Sequence, residues 1–267
     1  MLSLRHSFYS LVIICLLVSA APPARAKDAP QSYEPAKILF IGNSYTYWVE
    51  DILKFVLERS ENDGSLFEFH TRGSTPLAYF AEDAATLKKI REGGFSYVVL
   101  QEWSRGVGRK GESADQFEDS LLKLNKVIRE SGAEPLLYMT WGRDDFSGYK
   151  SYADMNAKIV AGYEQAAERH KVGVLAVGKV WGALREKDEE FGLSFYEDSI
   201  GHPSTKGQIV VASVFFKALF NDPLAWDYLV SDVLSPSEWL AIKEATERLV
   251  TPLQQNIEKT KIPAVSQ

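Results

Sequence analysis

The chain is 267 residues long, 45% hydrophobic, and carries a net charge of −6 with a single cysteine. An acidic chain with no Lys/Arg cluster excludes a nucleic-acid binder, because phosphate contacts need concentrated positive charge. A lone Cys15 excludes a disulfide framework and a cysteine metal site, so the fold must rest on an apolar core, which a chain of this length can bury.

At the amino end, Arg5 and His6 precede an apolar run from Phe8 to Ala21, and Ala24-Arg25-Ala26 follows as an A-x-A cleavage pattern. The run is short of the ~20 residues that span a bilayer. Residues 1–26 therefore read as a signal peptide cut near Ala26, and the protein as periplasmic or secreted. Cleavage removes Cys15 and, with Arg5 and Arg25 gone, moves the net charge to −8. No later stretch is long and apolar enough to be a membrane span. Residues 27–36 read as a short extension.

From residue 37 short apolar runs alternate with longer amphipathic ones. Lys37–Ile41 reads as a buried strand and Val49–Arg59 as a helix. Leu66–Thr71 is a strand, and Leu77–Arg91 a helix ended by Gly93-Gly94. Tyr97–Gln101 is a strand, Ala114–Glu130 a helix, Pro135–Thr140 a strand, Ala153–His170 a helix, and Gly173–Val177 the fifth strand. Helices follow at Lys206–Phe220 and Ser237–Gln255. Strands separated by helix-length segments imply βαβ units. The expected fold is α/β, a flavodoxin-like three-layer sandwich around a parallel five-stranded sheet. One domain spans 37–258, with a loose tail at 259–267. Ligands of such sheets collect at the carboxyl ends of the strands.

The first strand runs into Gly42-Asn43-Ser44-Tyr45-Thr46. A serine there sits at a helix start, where backbone N–H groups can hold a developing oxyanion; helix capping by Asn43, Ser44 or Thr46 is the plainer role. A serine nucleophile needs a base, and residues 27–267 offer three histidines. His170 ends a polar helix and His70 lies within a strand. His202 stands on a turn-rich stretch, Glu197-Asp198-Ser199-Ile200-Gly201-His202-Pro203-Ser204. Pro203 disfavours helix at His202, Thr205-x-x-Gln208 fits a capping box just beyond it, and carboxylates lie upstream.

Ile41-Gly42-Asn43-Ser44-Tyr45-Thr46 resembles the nucleophile block of the SGNH (GDSL-like) hydrolases, and Asp198 through His202-Pro203-Ser204 is similar to their late Asp/His block. Arg72-Gly73-Ser74-Thr75 resembles the glycine block, and Val98–Glu102 falls where the third block belongs. Met139-Thr140-Trp141-Gly142 and Val177–Trp181 look like a bacterial subgroup with a GNSYT nucleophile block. The resemblance, from about Lys37 to Phe220, implies a five-stranded parallel sheet and an ester hydrolase. Ser44 would be its nucleophile, His202 its general base, and an acid would orient the histidine.

Two positions depart from the family pattern. The third block usually carries Asn; here Gln101 stands nearest, so the resemblance assigns the oxyanion hole to Ser44, Gly73 and Gln101. The acid usually precedes the histidine by three residues, where this chain has Ser199. Asp198 is the expected acid, Glu197 its neighbour, and a Ser–His dyad the alternative.

Trp48, Trp103, Trp141 and Trp181 follow predicted strands, as do Arg72, Arg105 and Arg143. Flat aromatics beside polar groups suit a sugar ring, so Asn43, Trp48, Trp103, Trp141, Arg143 and Trp181 are candidate substrate contacts, although large aromatics also fill ordinary cores. The expected partner is a small-molecule or carbohydrate ester. No cofactor is expected, and no metal, since no His/Asp/Glu cluster has ligand spacing. The alternative function is a non-catalytic carbohydrate- or ligand-binding protein on the same fold.

Overall fold

A computed structural model of the chain describes residues 35–103, 106–108, 111–144, 147–222 and 232–253. The expected signal peptide, most of the 27–36 extension, Arg105 and the 259–267 tail lie outside the described residues.

The five strands are β1 (Lys37–Gly42), β2 (Leu66–Thr71), β3 (Tyr97–Leu100), β4 (Glu134–Tyr138) and β5 (Gly173–Leu175). Every pairing is parallel, in the order β2-β1-β3-β4-β5. Strand β1 is apolar on both faces because helices cover both. Its alternate side chains serve separate cores: Ile38 and Phe40 on one side of the sheet, Leu39 and Ile41 on the other. The strand order reverses between β1 and β3, and ligands of such sheets collect at the carboxyl ends beside that reversal. Ser44 follows β1 directly.

Ten helices are described: α1 (Ser44–Tyr47), α2 (Glu50–Leu57), α3 (Leu77–Glu82), α4 (Ala84–Glu92), α5 (Glu112–Glu130), α6 (Tyr152–His170), α7 (Val177–Lys187), α8 (Glu189–Leu193), α9 (Thr205–Phe220) and α10 (Pro236–Leu249). The helix α9 is buried nearly all round, which explains why only Ser213 and Lys217 break its apolar run from Ile209 to Phe220. Phe215 stacks on Phe40 of β1 at 5.8 Å, so α9 lies directly under β1.

Several boundaries differ from expectation. The stretch expected as one helix from Leu77 splits at Asp83, whose backbone is extended and whose carboxylate caps α4 by accepting from Thr86 N–H. The fifth strand ends at Leu175, and Val177 opens the unanticipated α7; Gly178 and Gly182 dilute its helical pattern. The capping box expected at Thr205 and Gln208 does not form there. Ser204 is the N-cap, accepting from Gly207 N–H, while the box appears at Ser235 and Glu238 of α10.

Candidate active site

The turn after β1 is built by Asn43, which is 2% exposed. Its Oδ1 accepts from Tyr45 N–H at 3.2 Å and caps α1; its Nδ2 donates to Thr75 O at 3.2 Å; its own N–H donates to Gln101 Oε1 at 2.9 Å. Asn43 is therefore the cap, and the substrate contact expected of it is corrected, since its amide is turned inward and engaged. Ser44 is left as the first helical residue, where the N–H has no intrahelical acceptor. Gly42 makes the turn possible. A Cβ there would meet Thr46 Oγ1 at 2.4 Å and Gln101 Oε1 at 2.5 Å.

The hydroxyl of Ser44 lies 2.8 Å from His202 Nε2, and His202 Nδ1 lies 2.7 Å from Asp198 Oδ2. An ionised carboxylate can only accept, so Nδ1 carries the shared proton and Nε2 is left to accept from Ser44. The other carboxylate oxygen, Oδ1, accepts from the backbone N–H groups of Ile200, Gly201 and His202 at 2.9–3.1 Å. Burial pushes the Asp198 carboxyl up, but hydrogen bonds from the His202 ring and from the His202 and Gly201 N–H groups outweigh it and hold the group below its ordinary range. Asp198 thus stays charged opposite the imidazole. Glu197 is exposed.

The segment carrying this pair is a narrow loop, closed at its base by an antiparallel bridge between Tyr196 and Pro203 and by Glu197 N–H donating to His202 O at 2.9 Å. Gly201 turns it with φ +96, and a Cβ there would lie 2.8 Å from the Tyr45 hydroxyl. Two side chains hold the loop from inside: Tyr45 OH donates to Ile200 O at 3.0 Å and Trp141 Nε1 donates to Gly201 O at 3.1 Å. The Trp141 ring stacks between Tyr45 (5.1 Å) and Trp181 (4.0 Å). Helix α1, which carries Ser44, and the histidine loop are therefore braced by the same aromatic ladder. Tyr45 and Tyr196 are not singled out by the sequence, which carries no signal of the carbonyls their hydroxyls reach.

The remaining candidates separate clearly. Trp141 and Trp181 are fully buried, with both indole N–H groups engaged, Trp181 donating to Tyr196 OH at 2.9 Å. Their expected role as substrate contacts is corrected: they are packing. Arg143 is also buried, its stem beside Gly201, so its expected substrate contact is corrected too. Trp103 is half-buried and Gly73 is exposed just beyond β2. Trp48 is half-buried and lies on the ring of His202.

Gln101 is fully buried. Its Oε1 accepts from Asn43 N–H and from Thr46 Oγ1 at 3.0 Å, and its Nε2 donates to Glu102 O. The oxyanion donor expected of Gln101 is corrected to a brace under the nucleophile turn. Glu102 is buried as well, accepting from Trp103 N–H at 2.6 Å and Leu77 N–H at 3.1 Å. Burial pushes its carboxyl up to about 7, against the lowering effect of those two N–H groups. His70 bonds to Thr86 and His170 to Glu118, both in other contacts. No group of three or more His, Cys, Asp or Glu side chains suited to a metal occurs among the described residues, and no helix among them is long and apolar enough to cross a membrane.

A serine hydroxyl, a tautomer-fixed imidazole and a charged carboxylate in line make an arrangement suited to acyl transfer. No family model and no curated protein matches the sequence. Solved structures do. A protein from Slackia heliotrinireducens provisionally described as an SGNH hydrolase is similar at 25% identity and TM-score 0.57, covering 68% of this chain and 97% of that one. A DUF4886 family protein from Bacteroides uniformis is similar at 19% identity and TM-score 0.67, covering 83% and 99%. An acetylxylan esterase from Geobacillus stearothermophilus is similar at 14% identity and TM-score 0.53, covering 68% and 93%. The chain has the SGNH hydrolase fold.

Proposed function

We propose that the protein is an exported serine esterase that hydrolyses a carboxylic ester, with an acyl group on a carbohydrate as substrate. The observation that carries this reading is the continuous contact from Asp198 through His202 to Ser44. In the mechanism, His202 Nε2 takes the Ser44 proton as the oxygen attacks the ester carbonyl. The alcohol leaves with that proton, and water activated by the same histidine releases the acid from the acyl-enzyme. Backbone N–H groups of Ser44 and Gly73 hold the oxyanion, each donor being worth about 3–4 kcal/mol of barrier. With Gln101 turned to the backbone, no side-chain amide takes part.

The carbohydrate part rests on the likeness to an acetylxylan esterase and on aromatic side chains that follow the strands: half-buried Trp103 after β3, exposed Tyr47 in α1, and exposed Tyr79 in α3 carrying the Arg72 guanidinium at 4.4 Å. Export rests on the A-x-A pattern before Lys27. The non-catalytic alternative drew on Gln101 and Ser199. The contact of Asp198 with His202 and the bracing role of Gln101 weigh against it.

Labelling with a fluorophosphonate and mapping the modified residue tests the reading. Ser44 should be the one serine labelled at low dose, and Ser44→Ala should abolish both labelling and hydrolysis of acetylated oligosaccharides. Equal labelling of the alanine variant would overturn it.

A further inference from the structure

Trp48 caps the four-residue α1, its N–H donating to Ser44 O at 2.9 Å. Residues four apart on a helix share a face, and the later side chain leans back over the earlier. That leaning brings the indole beside Ser44 and flat against His202, with ring centroids 4.9 Å apart and planes 9° apart. Tyr45 meets the same imidazole edge-on at 5.7 Å, and the histidine side chain is left 13% exposed. A single helical turn therefore supplies the nucleophile and two walls of its base.

We infer that Trp48 is a positioning residue for His202 rather than a contact for substrate. The indole confines the imidazole to the one plane in which Nε2 meets Ser44 and Nδ1 meets Asp198. Its electron-rich face also favours the imidazolium that forms when Ser44 gives up its proton. The charged and titratable groups facing the ring are few. Asp198 bonds Nδ1, the Tyr45 hydroxyl is donated to Ile200 O, and the Arg143 stem lies beside Gly201. Trp48 is thus the cation-stabilising surface against the ring on the side of α1. This inference rests on the serine-esterase reading for its kinetic part, and on geometry alone for its spectroscopic part.

The test uses Trp48→Leu and Trp48→Phe in the full-length protein. Turnover should fall roughly 3- to 30-fold in the leucine variant with KM nearly unchanged, the range that a cation–π contact gives when converted to rate. The phenylalanine variant, which keeps an aromatic face, should recover most of that loss. An imidazolium quenches an indole stacked on it, so tryptophan emission of the parent should step down on acidification, once His202 is protonated. That step should vanish in both Trp48→Phe and His202→Asn, with no substrate present. A leucine variant with raised KM and unchanged kcat would overturn the inference in favour of a sugar platform, as would an emission step that survives in Trp48→Phe. Should Ser44→Ala keep full activity while the step behaves as described, the esterase reading fails and the stacking remains.

Discussion

Replacing Gln101 by leucine separates a brace from an oxyanion donor. The change keeps volume and removes the amide, leaving Asn43 N–H, the Thr46 hydroxyl and Glu102 O without their partner in a site where Gln101 is fully buried. The threonine hydroxyl can rotate to a carbonyl of its own helix. The other two groups cannot move, and an unsatisfied buried polar group costs about 1–3 kcal/mol. The loss should therefore be about 2–6 kcal/mol, or a fall in melting temperature on the order of 5–25 °C for a domain of this size. Differential scanning calorimetry reads that shift. Turnover, normalised to the fraction of Ser44 that a phosphonate titrates and measured well below the melt, should drop only moderately. An oxyanion donor behaves oppositely, losing ~10²–10³ in kcat while the fold stays put. A variant that melts within about 2 °C of the parent, far below the shift expected for two orphaned groups, yet has lost two orders of magnitude in kcat would refute the brace.

Asp198→Asn should cut kcat by as much as ~10⁴-fold, because an amide donates to Nδ1 and forces the proton onto Nε2, the tautomer that cannot accept from Ser44. Glu197→Gln should change little in the same assay, given its exposed side chain; near-full rates in both variants would leave a Ser–His dyad. Glu102 makes stability fall with pH. Its carboxyl, pushed up to about 7, binds a proton in the folded state that the unfolded chain has released. The stabilisation is complete below the ordinary carboxyl range and gone once pH has risen through about 7, an upper bound on the order of 3 kcal/mol. Urea titrations between pH 5 and 8 should show that slope, and Glu102→Gln should flatten it whatever the variant's absolute stability; an unchanged slope would assign the pH dependence elsewhere.

The inner strands were legible because they are buried on both faces. A run such as Lys-Ile-Leu-Phe-Ile cannot alternate when Ile38 and Leu39 enter different cores, so each of β1, β3 and β4 announces itself as a short block between amphipathic stretches, whereas the edge strand β2, with Leu66 exposed, alternates instead. Helix α7 was illegible for the converse reason. It is wedged against β4's exit and α6, and the glycines that let it approach Thr140 and Asn156 weaken the periodicity by which a helix is recognised. The aromatic candidates misled in the same manner. Trp141 and Trp181 do follow strands, but a parallel stack 4.0 Å apart under the histidine loop is a structural pier, and sequence position says nothing about which side of a loop a ring takes.

Asp198, the expected acid, departs from the family spacing, and local chemistry explains how it still reaches the histidine. Four residues, not three, separate it from His202, and a regular extended segment would send the two side chains to a poor mutual distance. The loop is not extended. Asp198 Oδ1 gathers the N–H groups of Ile200, Gly201 and His202, an Asx-type turn that coils the backbone around its own carboxylate. Gly201 at φ +96 takes up the extra residue, in a conformation that a side-chain-bearing residue rarely adopts. The coil brings His202 Nδ1 onto Oδ2, so one carboxylate shapes the loop with one oxygen and orients the base with the other. The inserted residue is thereby absorbed by a turn whose two determinants, an aspartate at its start and a glycine before the histidine, are both written in the sequence. What the sequence does not carry is the restraint from outside, the Tyr45 and Trp141 hydrogen bonds to Ile200 O and Gly201 O, which fix the coiled loop against the nucleophile helix.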